Sequence, residues 1–243
     1  SELNTAIKKL SKWMKPKRVS TNLLNLPSRS RILSEPLGVV LIIAPWNYPF
    51  QLLINPLIGA IAAGNCVVLK PSEFAPATDA VMKKIIEETF PKEYILYVQG
   101  DGAAVIPEMM NNFTFDHVFY TGSTAVGKII YKMAADKLTP VTLELGGKSP
   151  CVVESDANIK VAARRIAMTK FSNAGQMCVA PDYVLVHESV KEKFIDSMKE
   201  SIEKGEVVTL ETVDKFVDGA AVKRVGDLTF EICRENLDRV ISI

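Results

Sequence analysis

A chain of 243 residues, 48% of them hydrophobic and 23% charged, can build a sizeable core, which excludes a mostly disordered protein. Twenty-nine basic residues against 28 acidic ones leave a net charge of +1, with no excess to draw nucleic acid or an anionic membrane surface. The four cysteines (66, 151, 178 and 233) form no C-x-x-C pair, the two histidines lie far apart, and Ser1-Glu2-Leu3-Asn4 has no signal-peptide pattern, so neither a metal site nor a disulfide framework is expected and the setting reads as reducing and cytoplasmic.

In chain order, residues 3–14 place Leu3, Ala6, Ile7, Leu10, Trp13 and Met14 on one helical face, and Pro16 ends that helix. Residues 18–35 read as extended arms around Leu26-Pro27-Ser28. No charge occurs from Pro36 to Leu69, a length that would allow a membrane span. Pro45, Pro49 and Pro56 argue against a single helix there, and Asn47, Asn55 and Asn65 would need partners in lipid. The better reading is a buried strand over 38–44, a loop over 45–49, a helix over 52–63 and a second buried strand over 66–69. A helix over 77–89, a strand over 94–98, a helix over 101–110 and a strand over 117–120 follow. Gly122-Ser123-Thr124-Ala125-Val126-Gly127 opens a helix that runs to about 136. Strands over 141–145 and 150–153, a helix over 157–171 and a strand over 183–187 come next. Ser189-x-x-Glu192 reads as a capping box before a last helix that Gly205 ends. This alternation predicts an α/β fold with a doubly wound, mostly parallel Rossmann-like sheet.

Five local features carry chemistry. Cys178 follows Asn173-Ala174-Gly175-Gln176-Met177. A lone cysteine is most often an inert small hydrophobe, but a glycine-containing loop makes this one accessible as a nucleophile. Glu144, in Val141-Thr142-Leu143-Glu144-Leu145-Gly146-Gly147-Lys148, sits at the end of what reads as a buried strand. Burial would push its carboxyl toward a useful general base, and a salt-bridged structural glutamate is the competing reading. Gly146-Gly147-Lys148-Ser149 looks like the end of a P-loop, but Thr142 occupies the position of the required first glycine, so an ATPase is rejected. Gly122-x-x-x-x-Gly127 can present backbone N–H groups to a phosphate, although it is not the G-x-G-x-x-G fingerprint. Asn47, held in Pro45-Trp46-Asn47-Tyr48-Pro49, is a rigid amide suited either to an oxyanion or to bonding its own loop.

Taken together, Pro-Trp-Asn-Tyr-Pro, Leu69-Lys70-Pro71-Ser72-Glu73, Phe119-Tyr120-Thr121-Gly122-Ser123, Leu143-Glu144-Leu145-Gly146-Gly147-Lys148 and Gly175-Gln176-x-Cys178 resemble, in order and spacing, the aldehyde dehydrogenase superfamily and its class 3-like branch, over about residues 1–204. The resemblance implies that Cys178 is the thiolate nucleophile, Glu144 the general base and Asn47 the oxyanion amide. It implies a cofactor, NAD or NADP, held by Trp46, Lys70, Ser72, Glu73, Gly122, Ser123, Gly127, Leu145 and Gly146, with Lys70 and Glu73 on the adenine ribose and Ser123 on the pyrophosphate. The Glu73 carboxylate favours NAD, since it repels a 2′-phosphate. Members of the family usually carry Thr or Arg where this chain has Met177.

The domains implied are a partial dinucleotide-binding domain over 1–148, with an oligomerisation arm over 18–36, and part of a second α/β catalytic domain over 149–205. The expected partners are a small-molecule aldehyde and a second copy of the intact protein. The family's first several dozen residues and its Glu-x-Phe-Gly-Pro segment are not found in the sequence. The tail over 206–243 reads as foreign or divergent; residues 207–243 resemble an internal stretch of threonine dehydratase, without that family's Schiff-base lysine or phosphate loop, so no lyase activity is inferred. The join reads as a fusion of gene fragments or an assembly artefact. Three functional readings stay open here: an NAD(P)-dependent aldehyde dehydrogenase, a fragment that binds dinucleotide without turnover, and a threonine-dehydratase-like chain that only the tail supports. The 243-residue chain alone is expected to show little or no turnover.

Overall fold

A computed structural model describes residues 2–203, which divide into two compact units at Leu145–Gly146. In the first unit, helix α1 (Glu2–Trp13) is followed by two short antiparallel strands, β1 (Lys17–Val19) and β2 (Ser30–Ile32), which are the predicted arms. The apolar face expected on α1 is mostly uncovered: Ala6 is buried, but Leu3, Ile7, Trp13 and Met14 are exposed.

The core is a five-stranded sheet. Its strands are β3 (Val39–Ile43), β4 (Cys66–Lys70), β5 (Ile95–Tyr97), β6 (His117–Gly122) and β7 (Val141–Leu145), all parallel and ordered β5-β4-β3-β6-β7. The apolar runs of β3 and β4 suit burial on both faces. Side chains alternate across the sheet. Val40 and Ile42 therefore pack on one face with Val67, Leu69 and the helices α2 (Gln51–Ala62) and α3 (Pro76–Thr89). Leu41 and Ile43 pack on the other with α4 (Gly102–Asn112) and α5 (Thr124–Ala135). Each fully buried Leu or Ile here contributes about 1.5–3 kcal/mol relative to exposure.

The uncharged stretch from 36 to 69 is thus strand, helix and strand, and among the described residues no helix is long and apolar enough to cross a membrane. Pro56 is accommodated inside α2. Asn65 is buried and bonded on both sides of its amide: Oδ1 accepts from the Leu37 and Gly38 N–H groups at 2.7 and 3.1 Å, and Nδ2 donates to the Ala60 carbonyl at 3.3 Å. Gly38 takes φ +131°, and a Cβ there would overlap the Asp116 carboxylate, which receives the Val39 N–H at 2.8 Å.

The second unit pairs β8 (Ser149–Val153) with β9 (Pro181–Val186) in parallel, and packs Val153 with Ile159 and Ala163 of α6 (Ile159–Phe171) and Phe194 of α7 (Lys191–Glu203). The capping box expected at Ser189 does not form as such. A 3-10 turn over Glu188–Val190 precedes α7, and the His187 ring caps it, its Nδ1 accepting the Ser189 N–H at 3.3 Å and lying 2.8 Å from the Ser189 hydroxyl. That bond takes the Ser189 N–H, the donor that the Glu192 side chain would receive in the box. Gly205 and the tail over 206–243 lie outside the described residues.

Candidate functional site

Numbered along the chain, the sheet order is third-second-first-fourth-fifth, so the connections leave β3 and β6 in opposite directions. In such sheets the ligand crevice lies beyond the carboxyl ends of the strands at that switch point. The first unit has a cleft of about 520 Å³ there. Its walls come from the end of β3 (Ala44, Trp46), the turn after β4 (Lys70 to Phe74), the start of α4 (Asp101 to Ala103) and the end of β6 (Tyr120 to Ser123). Ile106 and Pro107 on α4 face Val126, Ile129 and Met133 on α5 as an apolar slot. The cleft therefore brings together six of the residues singled out in sequence: Trp46, Lys70, Ser72, Glu73, Gly122 and Ser123.

Lys70 is the largest fully buried side chain, 2% exposed. A buried ammonium needs partners. Its Nζ donates to the Pro71 carbonyl at 2.5 Å and to Glu73 Oε2 at 3.0 Å. The other carboxylate oxygen of Glu73 accepts the Gly102 N–H at 3.0 Å, at the first turn of α4. Burial acts to raise the pKa of Glu73, but the Gly102 N–H, its own backbone N–H and the Lys70 ammonium outweigh it and hold the carboxyl below its ordinary value. Ser72 is buried, and its hydroxyl receives the Phe74 N–H at 3.3 Å, which closes the turn that aims Glu73.

Ser123 caps α5, accepting the Val126 N–H at 3.3 Å. A Cβ on Gly122 would overlap the Tyr120 hydroxyl, which itself donates to the Ser123 carbonyl at 3.2 Å, so only glycine keeps this approach to the helix end open. Gly127 is buried with a different task. A Cβ there would come within 2.9 Å of Leu145 Cδ2, so Gly127 lets α5 pack closely on β7. Gly127, Leu145, Gly146, Asn47 and Glu144 do not line the cleft. Asn47 is half-buried in the loop after β3. Glu144 departs from expectation: it is exposed, because β7 is the edge strand of the sheet and this side chain points away from the covered positions.

In the second unit, Cys178 is exposed on the loop after α6, as its sequence setting implies. Asn173, Ala174 and Gly175 in succession take φ of 49, 54 and 75°, the left-handed region. For the two non-glycines this conformation costs roughly 1–2 kcal/mol each, held by the packing around it. Gly147 was given no role in sequence beyond its place in the family motif and the rejected P-loop, yet a Cβ on it would lie 2.8 Å from the Cys178 carbonyl oxygen. The Lys148 ammonium next to it pairs with Asp182 at 3.4 Å on the other side of the loop. Gly147→Ala is expected to push the Cys178 backbone aside and destabilise the second unit by about 1–3 kcal/mol, the usual range for overpacking. Urea titration read by pulse labelling of Cys151, half-buried in β8, measures this. An unshifted midpoint would mean the loop gives way freely.

Residues missed in sequence are Asp101, Gly102, Tyr120 and the apolar slot on α4 and α5. Asp101 carried a signal, an aspartate just before Gly-Ala-Ala at a helix start, but nothing local joined it to Glu73.

The family model for the aldehyde dehydrogenase family matches residues 3–225. The chain belongs to that family. A 4,4′-diaponeurosporen-aldehyde dehydrogenase of Staphylococcus aureus is 52% identical over 200 residues, covering 82% of this chain and 43% of that protein. Aldehyde dehydrogenase family 3 member H1 of Arabidopsis thaliana is 48% identical over 205 residues, covering 84% of this chain and 42% of that one. A solved Staphylococcus aureus AldH in its substrate-bound state superposes with a TM-score of 0.77 at 51% identity, over 84% of this chain and 44% of the other. The aldehyde dehydrogenase chain thus has class 3 relatives and spans less than half the length of those it matches. Its family match runs on to 225, past the end near 204 expected from the sequence and into the tail read there as foreign or divergent. Family members use NAD or NADP.

Proposed function

We propose that this chain carries the dinucleotide site and the nucleophile of an NAD(P)-dependent aldehyde dehydrogenase that oxidises an aldehyde to a carboxylic acid. The switch-point cleft is the observation that carries the reading. Its donor set fits the cofactor: a buried ammonium and a carboxylate suit a ribose diol, the capped and glycine-cleared end of α5 suits a pyrophosphate, and the slot between α4 and α5 suits a flat apolar base.

The roles of the remaining residues come from the family motifs. Cys178 would add to the aldehyde carbonyl through its thiolate. The Asn47 amide and the Cys178 N–H would stabilise the oxyanion, a donor of that kind being worth about 10²–10³ in rate. The bound nicotinamide supplies the hydride acceptor. Glu144 would take a proton from the water that releases the acid from the Cys178 thioester, which favours the hydrolytic outcome over acyl transfer to another thiol. The exposed Cys178 thiol suits a reducing, cytoplasmic setting. Medium to long aliphatic or aromatic aldehydes are the proposed substrates, in keeping with the relative named for 4,4′-diaponeurosporen-aldehyde. Leu23, Leu24, Leu26, Ile32 and Leu33 stand exposed on the arm over 18–36, and we assign that surface to a homodimer contact of the whole enzyme. No lyase activity is assigned to the tail.

The 243-residue chain is expected to bind dinucleotide with little or no turnover. Calorimetric titration with NAD⁺ tests the cleft. Lys70→Met keeps the apolar stem and removes the ammonium, and it should weaken binding about 10- to 100-fold, the equivalent of a charged hydrogen bond. Equal affinity in wild type and variant would move the cofactor out of this cleft.

A further inference from the structure

Asp79 is a buried carboxylate, 9% exposed, in the first turn of α3. A charge taken out of water needs donors around it. The amino end of α3 supplies a favourable dipole, and two side chains at and just beyond β5 supply hydrogen bonds. The Tyr97 hydroxyl donates to Asp79 Oδ1 at 2.8 Å, and Gln99 Nε2 donates to Oδ2 at 2.6 Å. Burial, and then Asp79 itself, push the Tyr97 phenol above its ordinary pKa, so it stays a donor. Gln99 Oε1 accepts Lys83 Nζ at 2.9 Å, from one turn further along α3. The Gln99 amide is therefore fixed from both sides, giving to Asp79 and receiving from Lys83.

Gln99 stands immediately before the turn that opens α4. Gly100 follows it with φ +131°, and a Cβ there would lie 2.7 Å from Val105 Cγ2. Asp101 caps α4 by accepting the Ala103 N–H at 2.9 Å, and Gly102 gives its N–H to Glu73 at 3.0 Å. Glu73 belongs to the turn that leads into α3, so the starts of α3 and α4 are tied twice: by Glu73 to Gly102 and by Asp79 to Gln99. The first tie lies in the wall of the cleft and the second lies behind it.

We propose that Asp79 is a positioning residue of the dinucleotide site: through Gln99 it sets the turn over 99–102, and so keeps the Gly102 N–H on Glu73 and Glu73 on Lys70. The inference rests on the reading of this cleft as the dinucleotide site. The two oxygens of the carboxylate have different tasks. The bond to Tyr97 joins α3 to a strand that the sheet already holds through β4. The bond to Gln99 restrains a residue outside the sheet, next to a glycine whose backbone freedom would otherwise let the first turn of α4 drift. A binding group works only when its support holds it within about 0.5 Å, and Glu73 takes one of its two bonds from that turn.

Calorimetric titration of the 243-residue chain with NAD⁺, beside thermal melting, separates the two oxygens. Gln99→Met keeps the length of an exposed side chain and removes its donor. It should weaken NAD⁺ binding on the order of tenfold and move the melting temperature by less than about 2 °C. Asp79→Asn keeps an acceptor for Tyr97 but turns an NH₂ toward Gln99, and it should weaken NAD⁺ to a similar degree. The double variant should bind within about twofold of the weaker single one, since both remove the same tie. Tyr97→Phe should lower the melting temperature by about 2–8 °C and leave NAD⁺ affinity within about twofold. Amide exchange at Gly102, followed by NMR, should quicken in Gln99→Met and not in Tyr97→Phe. Where Asp79→Asn fails to fold, Gln99→Met and Tyr97→Phe decide the matter between them. If Gln99→Met binds NAD⁺ as wild type does, if the two single losses multiply in the double variant, or if Tyr97→Phe loses as much affinity as Gln99→Met, Asp79 has no such role while the cleft reading stands. If wild type does not bind NAD⁺, the cleft reading fails and the proposal falls with it.

Discussion

Replacing Cys178 with alanine is expected to lower aldehyde oxidation at least about 10⁴-fold, the scale of losing a covalent nucleophile, and to leave NAD⁺ affinity intact. The assay needs a complete enzyme, so the segment is best joined to the remaining parts of the Staphylococcus aureus relative, of which it spans 43%. The size of the effect follows from the lack of a substitute among the described residues. Cys66 and Cys151 are half-buried, whereas Cys178 is exposed. Burial pushes the Cys151 thiol up, so less of it is thiolate at neutral pH, and it lies within β8 rather than on a loop. Cys178 sits beyond three successive left-handed residues, on a loop whose backbone Gly147 lets close in. Steady-state formation of reduced cofactor, beside calorimetric binding, separates the two properties. Oxidation at the wild-type rate would remove Cys178 from the chemistry, and lost binding would show a collapsed fold instead.

Glu144→Gln is expected to lower the steady-state rate about 10²–10⁴-fold in the same complete enzyme, the range for losing a general base. The first turnover should survive: one equivalent of reduced cofactor per site, then slow release of the acid. The amide preserves shape and hydrogen-bonding reach but cannot take the proton from water. Glu144 is exposed at the edge strand, so the substitution buries no unpaired group and stability should stay within about 0.5 kcal/mol. Rapid-quench kinetics distinguishes this from a folding defect. A loss of first-turnover amplitude equal to the loss of rate would place Glu144 before the release step.

Much of the fold was legible along the chain. The uncharged runs at 39–43 and 66–69 read as strands covered on both faces, and they lie in β3 and β4, neighbours in the middle of the sheet. The helices between them were marked by periodicity, and the glycine turn at Gly122 by its place between a strand and a helix. These signals are local: each depends on spacings of two to four residues, which the sequence states directly.

The sequence by itself determined the α/β alternation, the order of the family motifs and the exposed loop setting of Cys178. Only the tertiary structure decided who meets whom. Glu73 and Gly102 join at the end of α4 because β4 and β5 are neighbours in the sheet. Gly147 lies against the Cys178 carbonyl because β8 and β9 pair in parallel, which brings their leading segments together. Glu144 is exposed because β7 is last in the strand order, which its own apolar neighbours could not reveal. The physical reason is the same in each case. Periodicity says which face of an element is apolar, but strand order and edge position are set by helices packing on both faces of the whole sheet.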